Sequence, residues 1–332
     1  MPFDPDGRAE ADAGIFGLEV SAEEAAAVIV PVPFDAATSW GRGARDAPRA
    51  ILTASHQMDL HDAILGEPYR AGIALLADSE EVVALNERGR QAATAARKGT
   101  TARLEEANRI GEQLNEWVTA EVTRWLERDR RVGALGGDHS ISYGSMVAHL
   151  HRHPDMAVLQ IDAHADLRDA YEGFVWSHAS VMRNMLDKTS LKKLVQVGLR
   201  DVSPGEADLA AKSGRVITHY DAHLAQAGFE GETWSQTVGR IIGDLPDEVY
   251  VSFDIDGLEG SLCPNTGTPV PGGLSFQKAC ALLAAITGSG RRVIGFDLTE
   301  ICPGPGPYER SWDAVVGAHI LYRLCGHALC SK

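Results

Sequence analysis

The 332-residue chain is poor in cysteine, has no long apolar run and carries a deficit of basic side chains. Its five cysteines (Cys263, Cys280, Cys302, Cys325 and Cys330) are odd in number and show no CxxC spacing. That excludes a disulfide framework or a zinc ribbon and points to a reducing compartment. No stretch approaches the about 20 apolar residues of a membrane span. The acidic N-terminus also lacks the basic and apolar regions of a secretory leader. A cytoplasmic protein with no membrane partner is expected. Lys and Arg number 31 against 46 Asp and Glu, a formal net charge of −15. Such a surface repels phosphate backbones, so no nucleic-acid partner is expected, while a cationic ligand is compatible with it. No internal repeat or long linker appears; Pro303-Gly304-Pro305-Gly306-Pro307 is too short to separate domains.

What is present is an ordinary globular composition, 44% hydrophobic and 23% charged, long enough to bury an ample core. Residues 1–24, rich in Asp, Glu, Gly and Ala, read as an N-terminal extension, irregular or packed on a neighbouring subunit. Residues 25–330 read as one domain. Short apolar runs predict strands at 25–33, 73–77, 131–135, 156–161, 193–197, 216–218, 249–253 and 292–296. Asp46 followed by Ala47-Pro48 predicts a capped helix start. Residues 80–130 predict two helices broken near Gly99-Thr100, with Trp117 and Trp125 in a core stripe, and a last helix covers about 311–324. Apolar strands alternating with helices predict an α/β fold, a mainly parallel sheet covered on both faces, with ligands beyond the strands' carboxyl ends.

Three polar pieces fall at such ends: Gly136-Gly137-Asp138-His139-Ser140, Asp162-Ala163-His164-Ala165-Asp166 and Ser252-Phe253-Asp254-Ile255-Asp256-Gly257. Residues i, i+2 and i+4 of a strand share a face, so Asp162, His164 and Asp166 converge. Carboxylates that close repel unless a cation holds them. Alone, the first and last pieces could each be a tight turn; together they supply His139, Asp162, His164, Asp166, Asp254 and Asp256. Imidazole and carboxylate without thiolate suit Mn²⁺, Fe²⁺, Co²⁺, Ni²⁺ or Zn²⁺ in a non-structural site. Six ligands fit two divalent ions sharing bridges, and four carboxylates balance their charge. His149, His151 and His153 form an HxHxH run expected to face solvent at a helix end. Cys263 and Cys302 are expected to pack.

GGDHS, DAHAD and SFDIDGL, with Pro264-Asn265-Thr266-Gly267-Thr268-Pro269 and the early PFDAATSWGRGARDAPRAI, resemble the arginase/agmatinase (ureohydrolase) family over residues 28–324. The resemblance implies a three-layer α/β/α sandwich and a binuclear manganese site, nickel in some relatives. It implies His139 and Asp166 on one ion, His164 and Asp256 on the other, and Asp162 and Asp254 as bridges. A metal-bridging hydroxide would attack a guanidino carbon, releasing urea and an amine. His178 matches a site-loop proton shuttle and Glu300 a glutamate pairing with the guanidinium; a carboxylate suits that planar fork. Residues 167–176 lack the Asn/Ser pattern that reads an α-amino acid, which disfavours arginine. An amine tail would suit Asp169, Tyr171, Glu172 and Trp176; Arg168 would instead suit a guanidino acid, and a small pocket would suit guanidine or a biguanide. The expectation is an agmatinase-like hydrolase, with formimidoylglutamate hydrolysis and a catalytically silent partner subunit of a hetero-oligomer as alternatives. The family resemblance also implies a homo-oligomer, a trimer or hexamer.

Overall fold

The computed structural model describes residues 4–7, 9, 10 and 12–331. All eight expected strands form: β1 Ala27–Val32, β2 Ile73–Leu75, β3 Arg131–Gly136, β4 Ala157–Ile161, β5 Leu194–Leu199, β6 Val216–Tyr220, β7 Glu248–Asp254 and β8 Arg292–Thr299. They make one wholly parallel sheet in the order β2-β1-β3-β8-β7-β4-β5-β6. The helices between them are α1 Ala47–Ser55, α2 Glu80–Ala96, α3 Thr101–Leu126, α4 Ser142–Arg152 and α5 Val181–Lys188. After these come α6 Pro204–Ser213, α7 Asp221–Phe229, α8 Trp234–Gly243, α9 Phe276–Gly288 and α10 Trp312–Cys330.

Strand alternation divides the core. Ile29, Leu135, Leu159, Val251 and Phe296 pack with residues of α1 and α7–α10. Val28, Val30, Val132 and Ala134 face α2 and α3, and Val158, Tyr250 and Ile294 face α4 to α6. Burying both faces explains why the strands are near-continuous apolar runs. The result is an α/β/α sandwich. Its four middle strands, β3, β8, β7 and β4, carry GGDHS, Glu300, the Asp254–Asp256 pair and DAHAD at their carboxyl ends.

The extension at 1–24, part of which (1–3, 8 and 11) lies outside the described residues, is irregular in its described part apart from a 3₁₀ turn at Ile15–Gly17. Ile15, Phe16 and Leu18 are buried in this chain's own core, and the Phe16 ring meets Tyr322 edge-on at 4.9 Å. Several local expectations are corrected. Asp46 does not cap α1: it already has helical dihedrals at the end of a 3₁₀ turn, and its carboxylate lies 3.8 Å from Arg45. The last helix runs on to Cys330. His149 does not face solvent; it is fully buried, its Nδ1 2.8 Å from the Ser145 carbonyl and its ring edge-on to Tyr250, and burial pulls its pKa down to about 4. Trp125 is buried in the core as the stripe requires, and Cys263 and Cys302 are buried. No helix among the described residues is long and apolar enough to cross a membrane.

Candidate active site

The site begins with backbone crossings. Gly137 N donates to the Val32 carbonyl at 3.0 Å, Asp138 N to the Phe34 carbonyl at 2.9 Å, and Glu300 N to the Gly137 carbonyl at 2.9 Å. The chain leaving β1 is thus laid across the end of β3, so close that a Cβ on Gly137 would stand 1.6 Å from the Phe34 oxygen. Only glycine permits this approach. Of the six described non-glycine residues with left-handed backbone, two line the site: Asp166 at φ 54° and Glu300 at φ 61°. Each costs about 1–3 kcal/mol and is held by its surroundings. The Asp166 carbonyl accepts from Met182 and Arg183 N–H, and the Glu300 carbonyl accepts from the Thr266 hydroxyl.

The structure brings the six expected ligands together. His139, Asp162 and Asp254 form one group and Asp162, His164 and Asp256 a second, each with ligand atoms within 4.8 Å of one another. Asp162 belongs to both. His139 Nδ1 lies 3.1, 2.8 and 3.4 Å from oxygens of Asp162, Asp166 and Asp254. His164 Nδ1 lies 3.1 Å from Asp256 and 3.6 Å from Asp162. Second oxygens are held by backbone N–H groups: Asp162 Oδ1 by His164, Asp256 Oδ1 by Ala163 and Asp254 Oδ1 by Asp256. Beneath, Gln196 donates to Gln160, which donates to Asp162 Oδ2 at 2.7 Å.

The His139 tautomer follows from its outer partners. The Ser252 hydroxyl donates to Asp297 at 2.9 Å, so it accepts from His139 Nε2–H, also at 2.9 Å. A neutral ring then aims the Nδ1 lone pair at three carboxylates, and Nδ1 is buried without a hydrogen-bond partner. Only a proton or a cation can hold that arrangement. Protonation shows the same demand for positive charge. Burial opposes it, but once protonated Nδ1–H donates to the Asp162 and Asp166 carboxylates, which keeps the His139 pKa well above the ordinary value. His164 is likewise pushed up to about 12, the Asp256 carboxylate outweighing burial. Burial and then the Asp162 charge raise Asp166 to about 7; burial and then Asp256 raise Asp254 well above the carboxylate range. Asp162 is held low: although burial opposes it, hydrogen bonds accepted from His139 and His164 favour its charge. The donor set thus fits divalent cations.

A cavity of about 140 Å³ opens over this cluster and includes His139, His164, Asp166 and Asp254 in its wall. Glu300 and His178 line it as well. Glu300 Oε1 accepts from His139 N–H at 2.9 Å, and burial, then the Asp138 charge, raise its pKa well above the ordinary value. His178 departs from its unperturbed chemistry: burial first, then the charges on His164 and His139, lower it to about 3. Arg168 and Tyr171 line the mouth, the guanidinium stacked 4.9 Å over the phenol ring and 3.7 Å from Glu206. Trp176 is not brought there; it packs 4.9 Å from Tyr143 and against Gly111. Glu172 pairs instead with Arg97 at 2.7 Å, and neither it nor Asp169 lines the cavity. Ser39, Asp201, Glu206 and Thr268 line it without having been singled out. Asp201 had a legible signal, since it lies just past Arg200 after the carboxyl end of β5.

The arginase family profile matches residues 25–326. The chain is 35% identical over 305 residues to the N(1)-aminopropylagmatine ureohydrolase of Thermus thermophilus, covering 92% of this chain and 90% of that protein. It is 32% identical over 196 residues to an agmatinase of Halalkalibacterium halodurans, 59% of this chain and 64% of that protein. The solved agmatine ureohydrolase of Thermoplasma volcanium has the same fold, with a TM-score of 0.72 over 97% of this chain and 94% of that one at 24% identity. The clustered ligands are compatible with a binuclear centre, and with the family match spanning nearly the whole sheet, the chain belongs to the arginase family, hydrolases of amidino C–N bonds.

Proposed function

We propose that this protein is an agmatinase-like ureohydrolase that cleaves a guanidino C–N bond to give urea and an amine. The observation that carries this is the shared cavity, with metal-type ligands in one wall and the buried carboxyl of Glu300 beside them. His139, Asp162, His164, Asp166, Asp254 and Asp256 would hold two divalent ions, Mn²⁺ for preference and Ni²⁺ as the alternative, with Asp162 and Asp254 as the shared carboxylates. Such ions, when bound, supply Lewis acidity that makes hydroxide available near neutral pH without a Ser or Cys nucleophile.

The remaining work falls to the chain's own groups. Glu300 orients the guanidinium; a carboxyl held protonated by burial ionises when that cation arrives beside it. One of its oxygens is already fixed by His139 N–H, which sets the fork's direction. His178 is neutral at rest, so in this reading it takes up a proton during turnover and passes it to the departing nitrogen. At the mouth, Arg168 is offset by Glu206 and Tyr171, while the Asp201 carboxyl is 71% exposed. That balance favours an amine tail, in keeping with the amine-bearing substrates in the names of the relatives. Arg168 supports a second reading, a guanidino acid whose carboxylate would displace Glu206. We place the enzyme in the cytoplasm, in keeping with its free cysteines, and expect a homo-oligomer, a trimer or hexamer.

The test is urea release with Mn²⁺ and Ni²⁺ loaded separately. The panel is agmatine, N(1)-aminopropylagmatine, arginine, guanidinobutyrate, guanidinopropionate, guanidine and a biguanide. Turnover of the amine-tailed compounds and not of arginine is expected. Turnover of guanidinobutyrate without agmatine would move the tail assignment to Arg168.

A further inference from the structure

We infer that Ser39 is a positioning residue for His178, and that the loop at 33–43 is built to hold its hydroxyl there. This rests on the reading of His178 as the proton donor to the leaving nitrogen. Ser39 Oγ lies 3.3 Å from His178 Nε2, while His178 Nδ1 is buried with no hydrogen-bond partner. The ring therefore has one polar tether among the described residues. Packing alone leaves a histidine's χ2 broad, and a single hydrogen bond selects its orientation.

The chemistry of that tether suits a proton carrier. A hydroxyl donates to Nε2 while that nitrogen is bare and accepts from it when it is protonated. The contact thus survives both states of the ring. A carboxylate in the same place would trap the imidazolium, and an amide would have to turn over to serve both states.

The loop around Ser39 is fixed with unusual care for a connection between β1 and α1. Asp35, wholly buried, accepts from Gly43 N–H at 3.1 Å, and its own N–H donates to Asn86 on α2 at 2.9 Å. The Thr38 hydroxyl lies 3.0 Å from the Asp35 carbonyl and 3.2 Å from Asp138 Oδ2, beside the ligand His139. Gly41 N–H donates to the Gly267 carbonyl at 3.1 Å, an approach in which a Cβ on Gly41 would meet that oxygen at 2.8 Å. A buried carboxylate is costly unless it is paired and hydrogen-bonded, and Asp35 Oδ1 has the Arg90 guanidinium 3.9 Å away. Of residues 33–43, Ser39 is the one that lines the cavity.

The test is a double-mutant cycle on the Mn²⁺-loaded full chain with agmatine as probe, supported by the ¹⁵N shifts of the His178 ring in metal-free protein. Ser39→Ala is expected to lower kcat by about tenfold with KM and bound metal unchanged, the scale of losing a group that orients another. Ser39→Thr, which keeps the hydroxyl, restores most of it. In a His178→Ala background, Ser39→Ala changes kcat less than about twofold, as residues acting through one another do. The His178 ¹⁵N shifts move in Ser39→Ala and stay near wild type in Ser39→Thr. An equal loss from Ser39→Ala with and without His178 would overturn the inference, as would unmoved ring shifts. Failure of the underlying reading looks different: His178→Ala would then leave kcat intact.

Discussion

At the residue scale the informative group is His139, whose Nδ1 faces three carboxylates while its Nε2–H is committed to Ser252. In metal-free protein the raised pKa of His139, and of His164 at about 12, means that protons occupy the place of cations. Folded pKa values above the unfolded ones add stability that is complete below about pH 6.5 and is lost as pH rises through the folded values. Metal must displace these protons. Adding Mn²⁺ to metal-free protein in weak buffer at pH 7 is therefore expected to release at least two protons per chain. Apparent Mn²⁺ affinity, followed by chelator competition, should fall from pH 8 to pH 6. His164→Ala or Asp162→Asn should lose metal and activity while circular dichroism reports an unchanged fold. His178→Ala should lower kcat about a hundredfold or more, the usual weight of a proton-transfer group, with metal content intact. Glu300→Gln removes the guanidinium's counter-charge; truncating one partner of a buried charge pair costs about 3 kcal/mol, and the loss should fall on kcat/KM.

The element scale shows what the sequence made legible. Most strands were visible as apolar runs because both faces of the sheet are buried, the edge strand β6, half-buried throughout, being the weakest signal, and the strands' carboxyl ends bore every metal-type side chain. Strand order was not visible. That β3, β8, β7 and β4 are neighbours follows from crossovers whose long-range packing leaves no local signal. The same blindness explains the misplaced expectations. Trp176 lies two residues before His178 but packs toward α3 and α5, and Glu172 turns to Arg97 on the end of α2. His149, whose helix end reads as polar, is turned into the core beneath Tyr250. Gly137 tests the crossing of the β1 exit over β3. Gly137→Ala, forced against the Phe34 carbonyl, should cost at least about 3 kcal/mol, beyond ordinary overpacking. Calorimetry should show a lower Tm, and the displaced His139 should bind metal poorly.

For the whole molecule, the sandwich is a frame that spends its regular structure on placing four strand ends and their loops. The sheet gathers the ligands, the loop after β8 brings Glu300, and the loops after β1 and β4 bring Ser39 and His178 to one cavity. The net charge of −15 would attract the proposed cationic substrate to the molecule, an attraction that salt screens. The central claim is that this one chain, with two divalent ions in its ligand cluster, releases urea. Its most direct test is to count manganese per chain and assay urea from agmatine and the other panel compounds on the same sample, before and after chelation. Two ions per chain, turnover abolished by the chelator and restored by Mn²⁺ are predicted. Two ions per chain with no urea from any compound of the panel would contradict the account and leave a silent partner subunit in its place.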